Sequence, residues 1–269
     1  HLYKITENPE VIDVLETRKE NNLIISLIKE LPKDAGAVFY AKVTSTDRKN
    51  TQANHSATHL LHEALRSTLG THVEQKGSFV GPDYLRFDFS HFSKMTEEEL
   101  ATVEEKVNAK IKENLSLQEF RDLPIAEATE KGAMMLFGEK YGDKVRMIQF
   151  GTSKELCGGT HVQSTGEIGH FKLVAESSTA AGIRRIEAIT GDKATEYFKN
   201  LETQLKEIST LLKSKDVAKS IEKLLEENTA LKSEIEALKK EKAKGEINDW
   251  KNKKKKKDDK QLLVKKTSL

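Results

Sequence analysis

Two pairs of residues able to ligate a metal, about a hundred positions apart, restrict the folds open to this chain more than any other feature. NHSATHLL (54–61) sets His55 and His59 four apart in an amphipathic stretch, and LCGGTHV (156–162) sets the single cysteine, Cys157, four residues before His161. Positions i and i+4 of a helix differ by about 40° in projection, so both imidazoles leave one face. Gly158 and Gly159 free the later segment to turn tightly and aim thiol and imidazole at one point. Thiolate and imidazole suit tetrahedral zinc and are the wrong ligands for magnesium or calcium. A shared ion therefore requires a fold that returns a late glycine turn to an early helix.

Alone, each half has an ordinary structural reading. An HxxxH pair is often one packed and one surface histidine, and a lone cysteine is often a small buried hydrophobe. A zinc-protease helix needs Glu directly after the first histidine, and here that position is Ser56, which argues against a protease. Of the remaining histidines (His1, His62, His72, His91 and His170), His62, three after His59, is the alternative ligand. No Asp or Glu stands beside either motif as an obvious general base.

The rest of the chain predicts an α+β fold: a two-layer domain with helices on an antiparallel-rich sheet, followed by a helical hairpin or coiled coil. Residues 1–46 contain strand-like pieces (NLIISLI, AVFYAKVTST) separated by turn signals at Pro32 and Gly36. They read as the remnant of an upstream β-rich domain, and a start at His1 suggests a piece of a longer protein. From Thr51 the apolar positions recur at helical spacing until Gly70. Alternation in YLRFDFSH (84–91) predicts a half-buried strand, and Thr96 to Glu99 predicts a capping box opening a helix to about Leu117. A short helix near 126–137 and strands at VRMIQF, GHFKLVAE and IRRIEAIT complete a domain over 47–192.

Beyond Asp192 the character changes. Leu201, Leu205, Ile208 and Leu212 form one apolar stripe; Ile221, Leu224, Leu231, Ile235 and Leu238 form another, with Asn228 at an a-type position. Their registers do not match across KSKDVAKS (213–220), so two antiparallel helices over 193–243 explain the pattern better than one rod. From Lys239 to the end there are thirteen lysines against five acidic residues, whereas the whole chain carries only +2. The tail, 244–269, reads as basic and disordered, able to attract phosphate without sequence preference. A single cysteine excludes an internal disulfide framework and suits a reducing cytoplasm. No apolar run long enough to span a membrane and no signal peptide is evident.

NHSATHLLHEALR together with CGGTHV strongly resembles the editing domain of alanyl-tRNA synthetase. The resemblance continues through HVEQKGSFV (72–80), YLRFDFSHF (84–92) and STAAGIRRIEAITG (178–191), covering roughly residues 40–243. It implies that His55, His59, Cys157 and His161 hold Zn2+. It also implies that the domain hydrolyses tRNA(Ala) mischarged with serine or glycine. Thr58 and Gln75 match positions that line the amino-acid pocket, and both are candidate catalytic and substrate-binding residues. The family's whole enzyme joins alanine to tRNA(Ala) using ATP; the aminoacylation part and the family's GGGQ stretch have no counterpart here.

Editing has a physical basis. A pocket that fits alanine rejects glycine, a methyl smaller, or serine, a hydroxyl larger, by only about 10–200-fold, a figure stated for aminoacyl-tRNA synthetases themselves. Thr58 lies one residue before His59, where its hydroxyl can bond a seryl side chain; the alternative is a bond back to the carbonyl at position 54. Gln75 could orient the ester or the attacking water. Arg184 and Arg185, sent to opposite faces by strand alternation, and Lys76 are candidates for holding the RNA end. Zinc could activate water, or four protein ligands could close its coordination and leave it to position substrate; the ligand count favours positioning. The alternatives are a stand-alone trans-editing deacylase and a non-catalytic zinc-stabilised RNA-binding or oligomerisation module. In the latter the helical segment could pair two copies as a homodimer.

Overall fold

The computed structural model describes residues 2–4, 10–21, 23–34, 36–135 and 141–255. The chain divides into two units, His1–Lys199 and Asn200–Leu269. The first begins with short strands β1 (Leu2–Lys4), β2 (Val11–Ile12), β3 (Val14–Glu20), β4 (Leu23–Ile28) and β5 (Phe39–Ala41). Among the described residues these form a β2–β1–β5 sheet and a separate β3–β4 hairpin. Leu15, Leu23 and Ile24 of that hairpin are exposed.

Helix α1 (Ser45–Leu69) follows, then strands β6 (Gln75–Val80) and β7 (Leu85–Ser90) and helix α2 (Glu97–Lys112). Next come β8 (Gln118–Pro124), α3 (Ile125–Glu130), β9 (Lys144–Phe150), β10 (Ser153–Leu156), a 3-10 turn at Thr165–Ile168, β11 (Phe171–Ala180) and β12 (Ile183–Thr190). The main sheet is antiparallel in the order β11–β12–β7–β6, and a smaller antiparallel sheet runs β10–β9–β8. Mixed helices and antiparallel sheets make the chain α+β.

Alternation builds the main core. Leu85, Phe87 and Phe89 of β7 point inward beside Ile186 and Ala188 of β12. They meet Ala57, Leu60, Leu61 and Leu65 of α1 and Val103 and Val107 of α2. Losing a buried phenylalanine such as Phe87 to alanine costs about 3–5 kcal/mol. The capping box forms as read: Glu99 N–H donates to Thr96 Oγ1 (3.1 Å), and Thr96 N–H donates to the Glu99 carboxylate (2.8 Å).

Some boundaries differ from the sequence reading. Helix α1 starts six residues earlier than Thr51, at Ser45, through polar, mostly exposed turns with no apolar period to reveal them. The short helix ends at Glu130: residues 131–135 of its anticipated span are not helical, and 136–137 lie outside those described. Strands β6 and β10 lack a legible alternation: β6 is an edge strand with a register shift between Gln75 and Gly77, and β10 has four residues.

The two late helices are α4 (Gly191–Leu212), which reaches from the first unit into the second, and α5 (Val217–Lys255). The break falls inside the segment where the heptad registers disagree. Lys213 takes a positive φ of 50°, and Asp216 Oδ1 accepts the Lys219 N–H (3.1 Å) at the start of α5. Leu201, Leu205, Ile208, Ile221, Leu224, Leu231, Ile235 and Leu238 are all between 40% and 57% exposed, so neither stripe is fully covered among the described residues. Helix continues to Lys255, into the stretch expected to be disordered; residues 256–269 lie outside those described. No helix among the described residues is long and apolar enough to cross a membrane.

Candidate metal centre

Helix α1 offers His55 and His59 from one face, and the turn after β10 brings Cys157 and His161 to them. Cys157 Sγ lies 3.4 Å from His55 Nε2 and 3.4 Å from His161 Nε2. The imidazole centroids are 5.2 Å apart for His55–His59, 4.3 Å for His55–His161 and 4.7 Å for His59–His161. One ligand atom from each of the four residues falls within 4.8 Å of the others. Zinc bond lengths of 2.0–2.3 Å place tetrahedral donors about 3.3–3.6 Å apart; the two 3.4 Å contacts of Cys157 Sγ match that spacing, and the four donor types suit the ion.

The turn is held from below. Arg146 Nη1 donates to the carbonyls of Cys157 (2.8 Å) and Gly159 (2.7 Å), and its Nε donates to Glu119 (2.5 Å). Arg121 and Arg146 together hold the Glu119 carboxyl at about 2. Gly159 N–H donates to Cys157 Sγ (3.4 Å). A Cβ on Gly159 would overlap the imidazole of His55, whereas one on Gly158 would meet nothing within 4 Å. Of the two glycines, only Gly159 is therefore required by contact.

Ser56, where a zinc protease carries its base, serves the turn instead. Its hydroxyl oxygen accepts the Val162 N–H (3.1 Å) and lies 3.2 Å from His161 Nδ1. That contact leaves His161 Nε2 for the cluster. Burial, followed by the neighbouring His55 and Arg146, lowers the His161 pKa to about 3. Burial and the adjacent imidazoles hold His59 well below its usual range, and burial lowers His55 as well. The rings are thus neutral at pH 7, the form that binds metal.

Sequence reasoning missed a carboxylate. Glu155, two residues before Cys157, is buried with one oxygen 2.9 Å from His62 Nδ1 and the other 3.5 Å from His59 Nε2. Alternation within β10 turns it inward with Ser153, but a four-residue strand does not announce itself. His62, read as the alternative ligand, is instead the partner of Glu155.

The family model described as "Threonyl and Alanyl tRNA synthetase second additional domain" matches residues 145–187. The Alanine--tRNA ligase of Flavobacterium psychrophilum is 57% identical over 237 residues, covering 88% of this chain and 27% of that protein. Those of Christiangramia forsetii and Porphyromonas gingivalis are 58% identical over 241 residues (89% of this chain, 28% of the relative) and 52% over 238 (88% and 27%). The chain matches one segment of the alanine–tRNA ligases. It spans a little over a quarter of the length of these relatives.

The other residues singled out from the ligase resemblance lie as follows. Thr58 is buried on α1, and its hydroxyl donates to the Asn54 carbonyl (2.8 Å), the back-bonded arrangement. Gln75 starts β6, and its Nε2 donates to Ser78 Oγ (3.1 Å). Lys76 pairs with Glu74 at 2.8 Å. Arg184 pairs with Glu176, and Arg185 makes two 2.7 Å contacts with Asp88. In register, Arg184 lies opposite the inward-facing Phe89 and Arg185 opposite Asp88, so the two arginines occupy opposite faces. None of these contacts joins Gln75, Lys76 or either arginine to the metal cluster.

Proposed function

We propose that this segment hydrolyses serine or glycine from mischarged tRNA(Ala) at a zinc centre formed by His55, His59, Cys157 and His161. The whole ligase would supply alanylation with ATP. The observation that carries the reading is the convergence of three neutral imidazoles and one thiol from segments a hundred residues apart. Similarity to alanine–tRNA ligases supports a tRNA partner, and a free cysteine ligand suits the reducing conditions of a cytoplasm.

Zinc, when bound, supplies a positive centre beside the ester. The chain's own residues do the rest. Ser56 and Arg146 set the ligands, and four protein ligands favour positioning of the substrate. Thr58 spends its proton on Asn54, so toward a seryl side chain it offers an acceptor oxygen that binds the substrate hydroxyl. An alanyl ester has no hydroxyl to give, so this bond separates serine from alanine; it does not act on glycine. Gln75 keeps an amide oxygen and a second N–H beyond its bond to Ser78 and orients the ester or the attacking water. Lys76 and one of Arg184 and Arg185, which face opposite sides of the sheet, hold the RNA end, which requires exchange of their present carboxylate partners for phosphate. The exposed stripes of α4 and α5 support pairing with a second copy, tested by mass in solution with and without residues 194–269.

The deciding experiment measures deacylation of Ser-tRNA(Ala), Gly-tRNA(Ala) and Ala-tRNA(Ala), with zinc quantified in the same sample. The first two should lose their amino acid quickly, the third should survive, and chelation should abolish the difference. Thr58→Val and Gln75→Ala should slow seryl deacylation with zinc content unchanged. Rates equal to the parent chain in both variants would remove these residues from the site. Zinc uptake without hydrolysis would favour the non-catalytic RNA-binding module.

A further inference from the structure

Among the described residues, the buried Glu155–His62 pair is left without a task by the hydrolytic reading. Glu155 is 5% exposed, on a four-residue strand packed against α1. Its recorded polar neighbours are His62 Nδ1 at 2.9 Å and His59 Nε2 at 3.5 Å. No lysine or arginine pairs with it among these contacts. His62 turns Nδ1 to the carboxylate, packs its ring 5.2 Å from Phe87, and leaves Nε2 buried with no hydrogen-bond partner. A carboxylate seldom stays buried without a counter-charge, and a ring nitrogen seldom stays buried unbonded. Both features make sense if the pair answers to something else in the site.

That something is the centre itself. A divalent ion with one thiolate and three neutral imidazoles carries one net positive charge. We infer that Glu155, held in place by His62, is the buried counter-charge of the metal centre and the positioning residue for His59. Metal-ligating histidines commonly lean on such a carboxylate, and loss of it weakens metal binding about 10–100-fold. The assignment rests on the zinc reading above and adds two residues that do not ligate.

The test uses the whole chain and zinc alone, titrated in competition with a chromophoric chelator, with thermal midpoints of the metal-free proteins measured in parallel. Glu155→Gln keeps the shape and removes the charge. It should bind zinc about 10–100-fold more weakly, and its metal-free midpoint should not fall. His62→Leu should weaken zinc binding in the same sense. His62→Asn, which retains a donor near the Nδ1 position, should restore most of it. Substituted Co2+ should show altered visible absorption bands in Glu155→Gln. If Glu155→Gln and His62→Leu both bind zinc as tightly as the parent chain, the inference fails while the zinc centre stands. A metal-free midpoint that drops without any change in affinity likewise overturns it in favour of simple packing. If the parent chain takes up no zinc, the proposed function falls first and this inference with it.

Discussion

Replacing Gly159 by alanine tests how closely the glycine turn is fitted to helix α1. An added Cβ would overlap Cε1 and Nδ1 of His55. The turn has little room to retreat, because Arg146 holds the carbonyls on both sides of Gly158 at 2.8 and 2.7 Å. His55 is also restrained, by its backbone contact with Thr160 and by Cys157 Sγ at 3.4 Å from its Nε2. One methyl forced into a packed site costs about 1–3 kcal/mol. If the strain falls on ligand geometry, then at about 1.4 kcal/mol per factor of ten zinc should bind about 5- to 150-fold more weakly. Gly158→Ala is the internal control. It meets no atom within 4 Å and has no positive φ, so it should be neutral, or stabilising by about 0.4–1 kcal/mol through the unfolded chain. Competition with a chromophoric chelator gives the affinities, and urea unfolding of metal-free protein gives the stabilities. Equal affinity and stability in the two variants would show that the turn does not lie against His55.

Three further outcomes are expected. Ser56→Ala leaves the buried Val162 N–H and His161 Nδ1 without their shared oxygen, so urea unfolding should show a loss of about 1–3 kcal/mol. Arg146→Met removes both carbonyl bonds under the turn; calorimetry should show a lower midpoint, with about 1.5–3 kcal/mol lost and weaker zinc uptake. Metal-free protein should lose stability as the pH falls below 6.5. His161 titrates at about 3 when folded and near 6.5 when unfolded, so in that window the unfolded chain binds the extra proton. The slope should approach about 1.4 kcal/mol per pH unit for each such histidine, His59 adding in the same direction. Unfolding midpoints at pH 7.5 and 5, repeated with His161→Gln, check this: the variant's profile should be flatter.

Local periodicity was enough for the elements whose burial repeats along the chain. Helix α1, strand β7 and the capped start of α2 were legible because their apolar positions or cap residues recur at fixed spacing. So was the break before α5, because two heptads cannot share a register across Lys213–Ser220. The first turns of α1, the edge strand β6 and the brief β10 carry no such repeat, and only packing defines them.

The candidate site divides along the same line. Residue chemistry and spacing in the sequence by themselves determined which four side chains could share an ion, since thiol and imidazole pairs four apart are a local property. Tertiary structure alone decided what surrounds them. Arg146 comes from β9 to hold the turn, Ser56 faces His161 across a gap of 105 positions, and Glu155 faces His62 across 93. Such partnerships depend on how a strand and a turn dock on a helix, and no short-range pattern encodes that docking. Thr58 shows the same division: the sequence offered its hydroxyl either a seryl group or the carbonyl at position 54, and only the folded helix shows the bond to Asn54.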